Sequence, residues 1–353
     1  MIVTLTPNPS LDRTIALPGA LARGEVQRAV SAHQEPGGKG VNICRALEVS
    51  GVRSLAILPG DPEDPVLVAL TAQGVPHLGL PIGTALRSNV AITEPDGTTT
   101  KVNEPGPALT REQQDALVEL VLSQSEGARW VVLAGSLPPG VPATFYADVT
   151  RTLRARFGAA APRVAIDSSG APLAASVAAA PDLLKPNADE LAELTGISNP
   201  DSLEADPELA AAAAQTLIAA GVGAVLATLG SKGALLVTKD GYWLATTPPM
   251  VAVSTVGAGD SALAGFLLSS NAGASPADCL RQAAAHGAAA AALPGSTVPA
   301  LEQTRPDAVT VTAFPQPHTE RNTHTEPSTH TEPSNNEVVT VAAYPTHPKE
   351  DDQ

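Results

Sequence analysis

The sequence predicts an α/β protein with a doubly wound, mostly parallel central sheet flanked by helices and a small β-sheet inserted in its N-terminal half. Apolar runs alternate with amphipathic helical segments along most of the chain, which is typical of a parallel sheet covered on both faces. Residues 14–34 and 88–102 instead alternate apolar and polar side chains, which is typical of half-exposed strands. Hydrophobic residues make up 43% of the 353 residues, enough for a substantial core.

The elements of the large sheet follow in chain order. The apolar run Ile2–Leu5 ends in Pro-Asn-Pro and predicts the first buried strand. Residues 40–50 carry apolar side chains at helical spacing and stop at Gly51, which predicts a helix, and Leu55–Leu58 predicts the second strand. Further strands are expected at residues 130–134, 164–166, 183–184 and 225–228, and helices at residues 112–123, 142–157, 189–195 and 207–220.

The two alternating stretches predict the small sheet, with its strands within residues 13–35 and 87–103. Turn signals stand inside them at Pro18-Gly19 and Asp96-Gly97. The second face of such a sheet has no place to be buried within the main domain. We therefore expect it to act as a lid over a site or as a dimer contact.

The folded domain is expected to span residues 1–312, and residues 313–353 to form a disordered tail. A hexamer, T-H-T-E-P-S, occurs twice in tandem at residues 323–334 and has no apolar face. Segment 306–315 is echoed by residues 337–345, which indicates a duplicated terminal strand. Four of the seven histidines lie in this tail, and their spacing in a polar segment predicts weak metal binding at most.

Composition excludes several classes of function. The formal net charge of −15 repels phosphate backbones, and no basic patch interrupts it, so we expect no nucleic-acid partner. Cys44 and Cys279 are too few for a disulfide framework and are interpreted as reduced core residues. The N-terminus lacks the features of a signal peptide, and no apolar run is long enough to span a bilayer. A cytoplasmic protein without a membrane partner is expected.

The sharpest motif is T-V-G-A-G-D-S at residues 255–261, directly before an apolar helical run. Glycines allow the backbone to approach an anion, and the following helix directs free N–H groups and its positive dipole end to the same place. Asp260 stands at the start of that helix, where it could cap the helix and also abstract a proton. The alternative is a glycine-rich turn with an aspartate cap, and the motif alone leaves both open.

A second glycine-rich turn, E-P-G-G-K-G-V-N, opens a helix at residues 35–42. It is not a P-loop, because the four-residue spacer and the Lys-Ser/Thr ending are missing. Three glycines, Lys39 and Asn42 suit a polyol or phosphate ligand that lies against the backbone. The alternative is a plain tight turn.

Two further turns follow predicted strands. Asn187 and Glu190, in K-P-N-A-D-E, place an amide and a carboxylate three residues apart at a helix start, which suits magnesium bound through water or a helix-capping box. The turn Thr228–Gly233 follows another strand, at the sheet edge where nucleotides bind in doubly wound folds. Asp12 leaves the first strand at the same edge. Because four such turns meet there, the sequence predicts one crevice.

These motifs, in this order, resemble the PfkB branch of the ribokinase-like sugar kinases over residues 1–312. T-P-N-P-S-L-D, G-G-K-G-V-N, L-K-P-N-A-D-E-L and T-V-G-A-G-D-S are similar to those of the phosphofructokinase and tagatose-phosphate kinase subgroup. G-G-K-G together with N-E-P-G-P at residues 103–107 is most similar to its 1-phosphofructokinase members. The resemblance implies a ribokinase-like fold with a small β lid that often mediates homodimers.

The resemblance also implies an activity and its residues. We expect ATP-dependent phosphorylation of fructose 1-phosphate at the C6 hydroxyl, with Mg²⁺ as cofactor. Asp260 is implied as the base and Gly257, Ala258 and Gly259 as the anion hole. Sugar phosphate would meet Asp12, Gly38, Lys39 and Asn42, with Arg87 and Lys101 at its existing phosphate. Nucleotide would meet Lys185, Asn187, Thr228, Gly230, Ser231 and Gly233, and Asn187 with Glu190 would organise magnesium, through water.

The sequence leaves rivals open. Tagatose-6-phosphate or fructose-6-phosphate kinases use the same turns, and a non-catalytic sugar-phosphate sensor would keep the same pocket. A nucleoside kinase is disfavoured, because Lys39, Arg87 and Lys101 would then face a neutral ligand. The helix around His286 is nearly all alanine where relatives place an asparagine near the adenine, so the adenine contacts stay undefined.

Overall fold

Buried apolar runs form a ten-stranded sheet through residues 1–315, the part of the chain that the computed structural model describes. Seven neighbouring strands are mutually parallel, and three further strands, each antiparallel to the one before it, extend the sheet at one edge. In spatial order the strands are β14 (Thr310–Pro315), β13 (Gly241–Thr246), β12 (Ala234–Thr238), β11 (Ala224–Thr228), β10 (Leu183–Leu184), β9 (Arg163–Asp167), β8 (Trp130–Ala134), β1 (Ile2–Leu5), β4 (Ser54–Pro59) and β5 (His77–Leu80).

Helices cover both faces of this sheet, because the side chains of its central strands are apolar on both sides. One face packs against α3 (Arg111–Gln124), α4 (Phe145–Phe157), α5 (Gly170–Val177), α6 (Ala188–Thr195), α7 (Asp201–Ala205) and α8 (Pro207–Ala219). The other packs against α1 (Lys39–Val49), α9 (Ala258–Asn271) and α10 (Pro276–Ala291), and α2 (Pro65–Ala72) packs beside α1. The fold predicted from the sequence is therefore confirmed.

A separate four-stranded sheet forms from the alternating stretches. Its order is β3 (Ser31–Gly37), β2 (Ser10–Ala16), β6 (Arg87–Thr93) and β7 (Thr99–Asn103). Strands β6 and β7 lie within the predicted range 87–103, whereas β2 begins at Ser10, directly after Pro9, and β3 ends at Gly37, both outside the predicted range 13–35. Asp12 therefore lies within β2 and not in a turn after β1.

The C-terminal end of the described chain also differs from the sequence expectation. Strand β14 runs past the expected domain end at residue 312, where the Phe314 ring stacks on Tyr242 with a centroid separation of 4.7 Å. The tandem hexamer, the echoed segment and the tail histidines lie outside the described residues. Among the described helices, none is both long and apolar enough to cross a membrane.

Candidate active site

The carboxyl ends of neighbouring parallel strands bring the candidate residues to one edge of the sheet. Asp167 is the last residue of β9, and Lys185 follows β10 directly. The Thr228 N–H at the end of β11 donates to the Pro186 carbonyl at 3.0 Å, which joins two of the predicted turns. Ligands of open α/β sheets bind outside this edge, so the predicted crevice lies where the topology requires.

The glycine turn at residues 257–259 begins helix α9. Gly257 is the N-cap residue, with a φ of 75° that favours glycine. Asp260 is therefore the third residue of the helix and not its cap, which corrects the capping alternative. Asp260 is 8% exposed and lies in the first turn of α9, the end of the helix that carries free N–H groups and the positive end of the dipole.

The Asp260 carboxyl carries a raised pKa. Burial and the negative charge of Asp167 raise its pKa to about 6, against opposing contributions from Lys39, the Asn42 hydrogen bond and Lys185. Asn42 Nδ2 donates to Asp260 Oδ2 at 2.9 Å. A carboxyl with this pKa is ionised at neutral pH and can still accept a proton efficiently.

Two lysines surround a buried carboxylate next to this group. Lys39 Nζ lies 2.6 Å from Asp167 Oδ1, and Lys185 Nζ lies 3.2 Å from Asp167 Oδ2. Burial opposes the ionisation of Asp167, but the charges of Lys185 and Lys39 outweigh it and hold its pKa below the usual value. A Cβ built on Gly259 would lie 3.3 Å from Lys185 Nζ, which places this cluster against the glycine turn.

Asp167 is a residue that sequence reasoning missed. The predicted strand ends at Ile166, and the sequence prediction gives no role to the aspartate that follows it. A signal was present, because an acid at the carboxyl end of a buried parallel strand faces the ligand edge of the sheet.

Asn187 and Glu190 form a helix-capping box, which is one of the two interpretations of their spacing. Glu190 N donates to Asn187 Oδ1 at 2.7 Å, and Asn187 N donates to Glu190 Oε2 at 2.9 Å. Glu190 Oε1 lies 3.7 Å from Lys39 Nζ, beyond hydrogen-bond distance. The capping box does not use Oε1, so this oxygen can bind a ligand next to its ion pair with Lys39, and capping and ligand binding are compatible.

The small sheet brings Asp12 to the turn before α1. Asp12 Oδ1 accepts hydrogen bonds from Ser10 Oγ at 2.7 Å and Asn89 Nδ2 at 3.0 Å. A Cβ on Gly37 would collide with the Asp12 carboxylate. Gly38, with a φ of 111°, caps α1, and its backbone lies against Thr6 at the end of β1. The turn therefore joins the small sheet to the edge of the large one.

Arg87 and Lys101 lie on one face of the small sheet. Asn89 on β6 pairs with Asp12 on β2 and with Asn103 on β7. Side chains two positions apart on a strand lie on the same face of a sheet. The face of Asn89 therefore also carries Asp12, Arg87 and Lys101. The Arg87 guanidinium donates to the carbonyls of Glu104 and Asn8 at 3.1 and 3.0 Å, while its buried Nε has no partner among the described residues. Lys101 is exposed on β7.

The turn Thr228–Gly233 lies against Ala245 and Thr246, which precede the first residues that line a cavity of about 480 Å³. A Cβ on Gly233 would collide with the Ala245 carbonyl, and Gly230, with a φ of 53°, faces Glu204. Ser231 is exposed in this turn. The cavity is lined by residues 247–250, by four alanines in and directly after the second half of α10, and by Gln303, Arg305, Ala308 and Val309. His286 does not line it, because its ring is fully buried with Nε2 3.2 Å from Ser50 Oγ.

Residues 6–303 match the model of the pfkB family carbohydrate kinases. A protein of Haloferax volcanii named 1-phosphofructokinase is 36% identical over 305 residues, 86% of this chain and 94% of that protein. A Mycobacterium tuberculosis protein named ATP-dependent 6-phosphofructokinase isozyme 2 is 34% identical over 300 residues, 84% of this chain and 85% of that protein. The solved structure of Escherichia coli phosphofructokinase-2 with substrates and products has a TM-score of 0.76 and 31% identity, covering 86% of this chain and 96% of that one.

Proposed function

The chain belongs to the pfkB family of carbohydrate kinases, and on that premise we propose that it phosphorylates fructose 1-phosphate at the C6 hydroxyl. ATP is the donor, and fructose 1,6-bisphosphate and ADP are the products. Relatives named 1-phosphofructokinase and 6-phosphofructokinase place the chain among sugar-phosphate kinases of the phosphofructokinase type. The choice of fructose 1-phosphate as the substrate rests on the sequence motifs and on the relatives named 1-phosphofructokinase.

The observation that carries the proposal is the Asp260 carboxyl at the glycine-lined start of α9. Its pKa of about 6 keeps it ionised at neutral pH, as a base requires. Asp260 accepts the C6 hydroxyl proton while that oxygen bonds to the γ-phosphorus of ATP and the bond from phosphorus to the ADP oxygen breaks. Phosphoryl transfer depends mainly on alignment and on charge stabilisation. The N–H groups of Gly257, Ala258 and Gly259 supply that stabilisation at the helix start.

Asn187 and Glu190 are the residues that would hold magnesium. The described residues contain no cluster of three or more acidic, histidine or cysteine side chains that could hold a metal ion alone. Mg²⁺ is usually held by one or two carboxylates together with waters and substrate phosphates. The Glu190 Oε1 oxygen, 3.7 Å from Lys39 Nζ, fits that requirement. When bound, the ion would neutralise charge on the β- and γ-phosphates of ATP.

The alanine-lined cavity is the proposed site of the adenine. Thr246, the residue before the cavity-lining segment 247–250, lies against Gly233. The N–H groups of Val253 and Ser254 donate to the carbonyl of Ala291, at the end of α10. Residues next to the cavity lining therefore contact both the Thr228–Gly233 turn and the segment that leads to Gly257. Alanines leave room for a flat base and offer apolar contacts without hydrogen bonds. Lys185, Asn187, Thr228, Gly230, Ser231 and Gly233 are proposed to contact the rest of the nucleotide.

Asp12, Gly38, Lys39 and Asn42 are proposed to bind the sugar, and Arg87 with Lys101 its existing phosphate. The buried, unpartnered Nε of Arg87 supports this, because such a donor requires an acceptor. The small sheet is proposed as a lid that excludes water, since an open site would allow hydrolysis of ATP. It is also the proposed homodimer contact, supported by the exposed side chains of Val102 on β7 and of Val26 and Val30 in the connection between β2 and β3.

The second candidate is a fructose-6-phosphate or tagatose-6-phosphate kinase. The relatives from M. tuberculosis and the E. coli phosphofructokinase-2 structures favour the first of these. The machinery would be the same, with the substrate phosphate at the other end of the sugar.

One experiment separates these activities: kcat/KM measured with the three sugar phosphates side by side, by coupled ADP release. The highest value is expected with fructose 1-phosphate. A higher value with fructose 6-phosphate or tagatose 6-phosphate would reassign the substrate. Background turnover with all three would support the sensor.

A further inference from the structure

Arg45 on α1 is a buried cation that contacts strand β3, α1 itself, the end of α2 and the loop after α10. Its side chain is 7% exposed. Its Nη1 lies 3.4 Å from the Pro36 carbonyl, 3.4 Å from Asn42 Oδ1 and 3.5 Å from the Ser296 carbonyl. Nε donates to Gln73 Oε1 at 3.1 Å. The guanidinium is therefore centred among acceptors from the lid, α1 and the loop after α10.

The orientation of the Asn42 amide depends on its two charged neighbours. A guanidinium has only donors, and an ionised carboxylate has only acceptors. The amide therefore turns its oxygen to Arg45 and its NH₂ to Asp260, where Nδ2 donates at 2.9 Å. Without the guanidinium, the Asn42 oxygen would lose its charged donor and only the Asp260 carboxylate would orient the amide, so the hydrogen bond to Asp260 would weaken.

The same guanidinium connects the lid to the loop that faces the glycine turn. Arg45 Nη2 lies 3.8 Å from Glu35 Oε2 on β3, and Ser296 Oγ donates to the same Glu35 oxygen at 2.9 Å. A Cβ built on Gly257 would lie 3.7 Å from Ser296 Cα. A planar fork with five donors can hold several such partners at once, which a single ammonium cannot.

We propose that Arg45 is a positioning residue for phosphoryl transfer, which fixes the Asn42 amide against Asp260 and joins lid strand β3 to the start of α9. The inference rests on the proposed role of Asp260 as the base. Arg45 is not among the residues proposed to contact the sugar phosphate or ATP.

A pH profile reports this role, because the Asn42 hydrogen bond lowers the pKa of Asp260. The charged groups that face Asp260 are Asp167, Lys39 and Lys185, and none of them is altered by a change at Arg45. Complete loss of a hydrogen bond to the ionised form raises a carboxyl pKa by about one to two units, and a weakened hydrogen bond raises it by about half a unit to one unit. The acid limb of kcat/KM is expected to move to higher pH by that amount in Arg45→Met.

Arg154→Met is the matched control. Arg154 also donates to two carbonyls, those of Ala179 and Ala180, and lies 3.5 Å from Asp182 Oδ2. Asp182 precedes β10, at the sheet edge opposite Asp260. This variant is expected to keep the wild-type acid limb. In the double variant Asn42→Ala/Arg45→Met, the limb is expected to match that of Asn42→Ala alone, because Arg45 acts through Asn42.

An acid limb in Arg45→Met that coincides with wild type, or one that moves equally in Arg154→Met, would overturn the proposal. If Arg45→Met does not fold, Arg45→Lys makes the same test, and its limb is expected to move in the same direction. Wild-type enzyme that turns over no sugar phosphate would instead remove the proposed function, so the two failures are distinguishable.

Discussion

Lys39 Nζ lies 2.6 Å from Asp167 Oδ1, in an ion pair that joins residues 128 positions apart. Asp167 is fully buried and also faces Lys185, whose side chain is 4% exposed. One carboxylate therefore balances two lysines at the edge of the sheet. Burial opposes the charge of Lys39, but Asp167, Glu190 and Asp260 outweigh it and raise the pKa of Lys39.

We expect Asp167→Asn to lower the free energy of unfolding by about 3 kcal/mol, because it leaves buried lysine charge without its partner. Urea unfolding measures this change. Asp307→Asn is the control, since it removes an aspartate from an exposed pair with Arg305, and a change within about 0.5 kcal/mol is expected there. An equal loss of unfolding free energy in both variants would contradict the larger stabilisation expected from the buried ion pairs of Asp167.

The wild-type pH profile of kcat/KM should show an acid limb near pH 6. Burial and Asp167 raise the pKa of Asp260 to about 6, so protonation removes the proposed base as the pH falls through that value. Activity is therefore expected to be full at neutral pH and to fall about tenfold per pH unit well below the pKa. A profile without a fall between about pH 7 and pH 5 would exclude Asp260 as a base with this pKa.

Gly257→Ala and Gly273→Ala compare the two ends of α9. Gly257 has a φ of 75° and Gly273 a φ of 80°, so an alanine at either position is strained by about 1–2 kcal/mol. Only Gly257 lies in the proposed anion hole, and we expect only Gly257→Ala to lower kcat, by at least about tenfold. Similar kcat values in the two variants, measured by ADP release, would argue that the glycine turn is structural.

Lys101→Met tests the proposed phosphate contact without a cost in folding, because Lys101 is exposed. Loss of a charged hydrogen bond is expected to raise KM for the sugar phosphate by roughly ten- to a hundredfold, with KM for ATP unchanged. Lys239→Met, in the exposed turn after β12, is the control. An unchanged KM for the sugar phosphate would leave Lys101 without the role assigned to it.

Much of the fold was predictable, because buried strands such as Trp130–Ala134 and Leu183–Leu184 are continuous apolar runs. Strand β13 was not predicted, since its side chains are mostly half-buried and lack a clear alternation. Strand β5 was missed for the same reason.

The glycine turns of the candidate site were predictable from the sequence. The residues that reach the candidate site through long-range contacts were not. The turns at residues 37–40 and 257–259 are visible in the sequence. Arg45 and Asp167 have no local signature, because each takes its partners from segments far apart in the chain. The position of Asp260 inside the first turn of α9 also depended on Gly257 adopting the left-handed conformation of the cap.

The most direct test of the account is the turnover of Asp260→Asn with fructose 1-phosphate and ATP. The amide keeps the shape of the carboxyl and cannot accept the proton, so kcat is expected to fall by about 10²–10⁴ with ATP binding nearly unchanged. Asp278→Asn, at the third position of α10, is the control and should retain wild-type turnover. Retention of more than roughly a tenth of wild-type kcat in Asp260→Asn would contradict the assignment of the base.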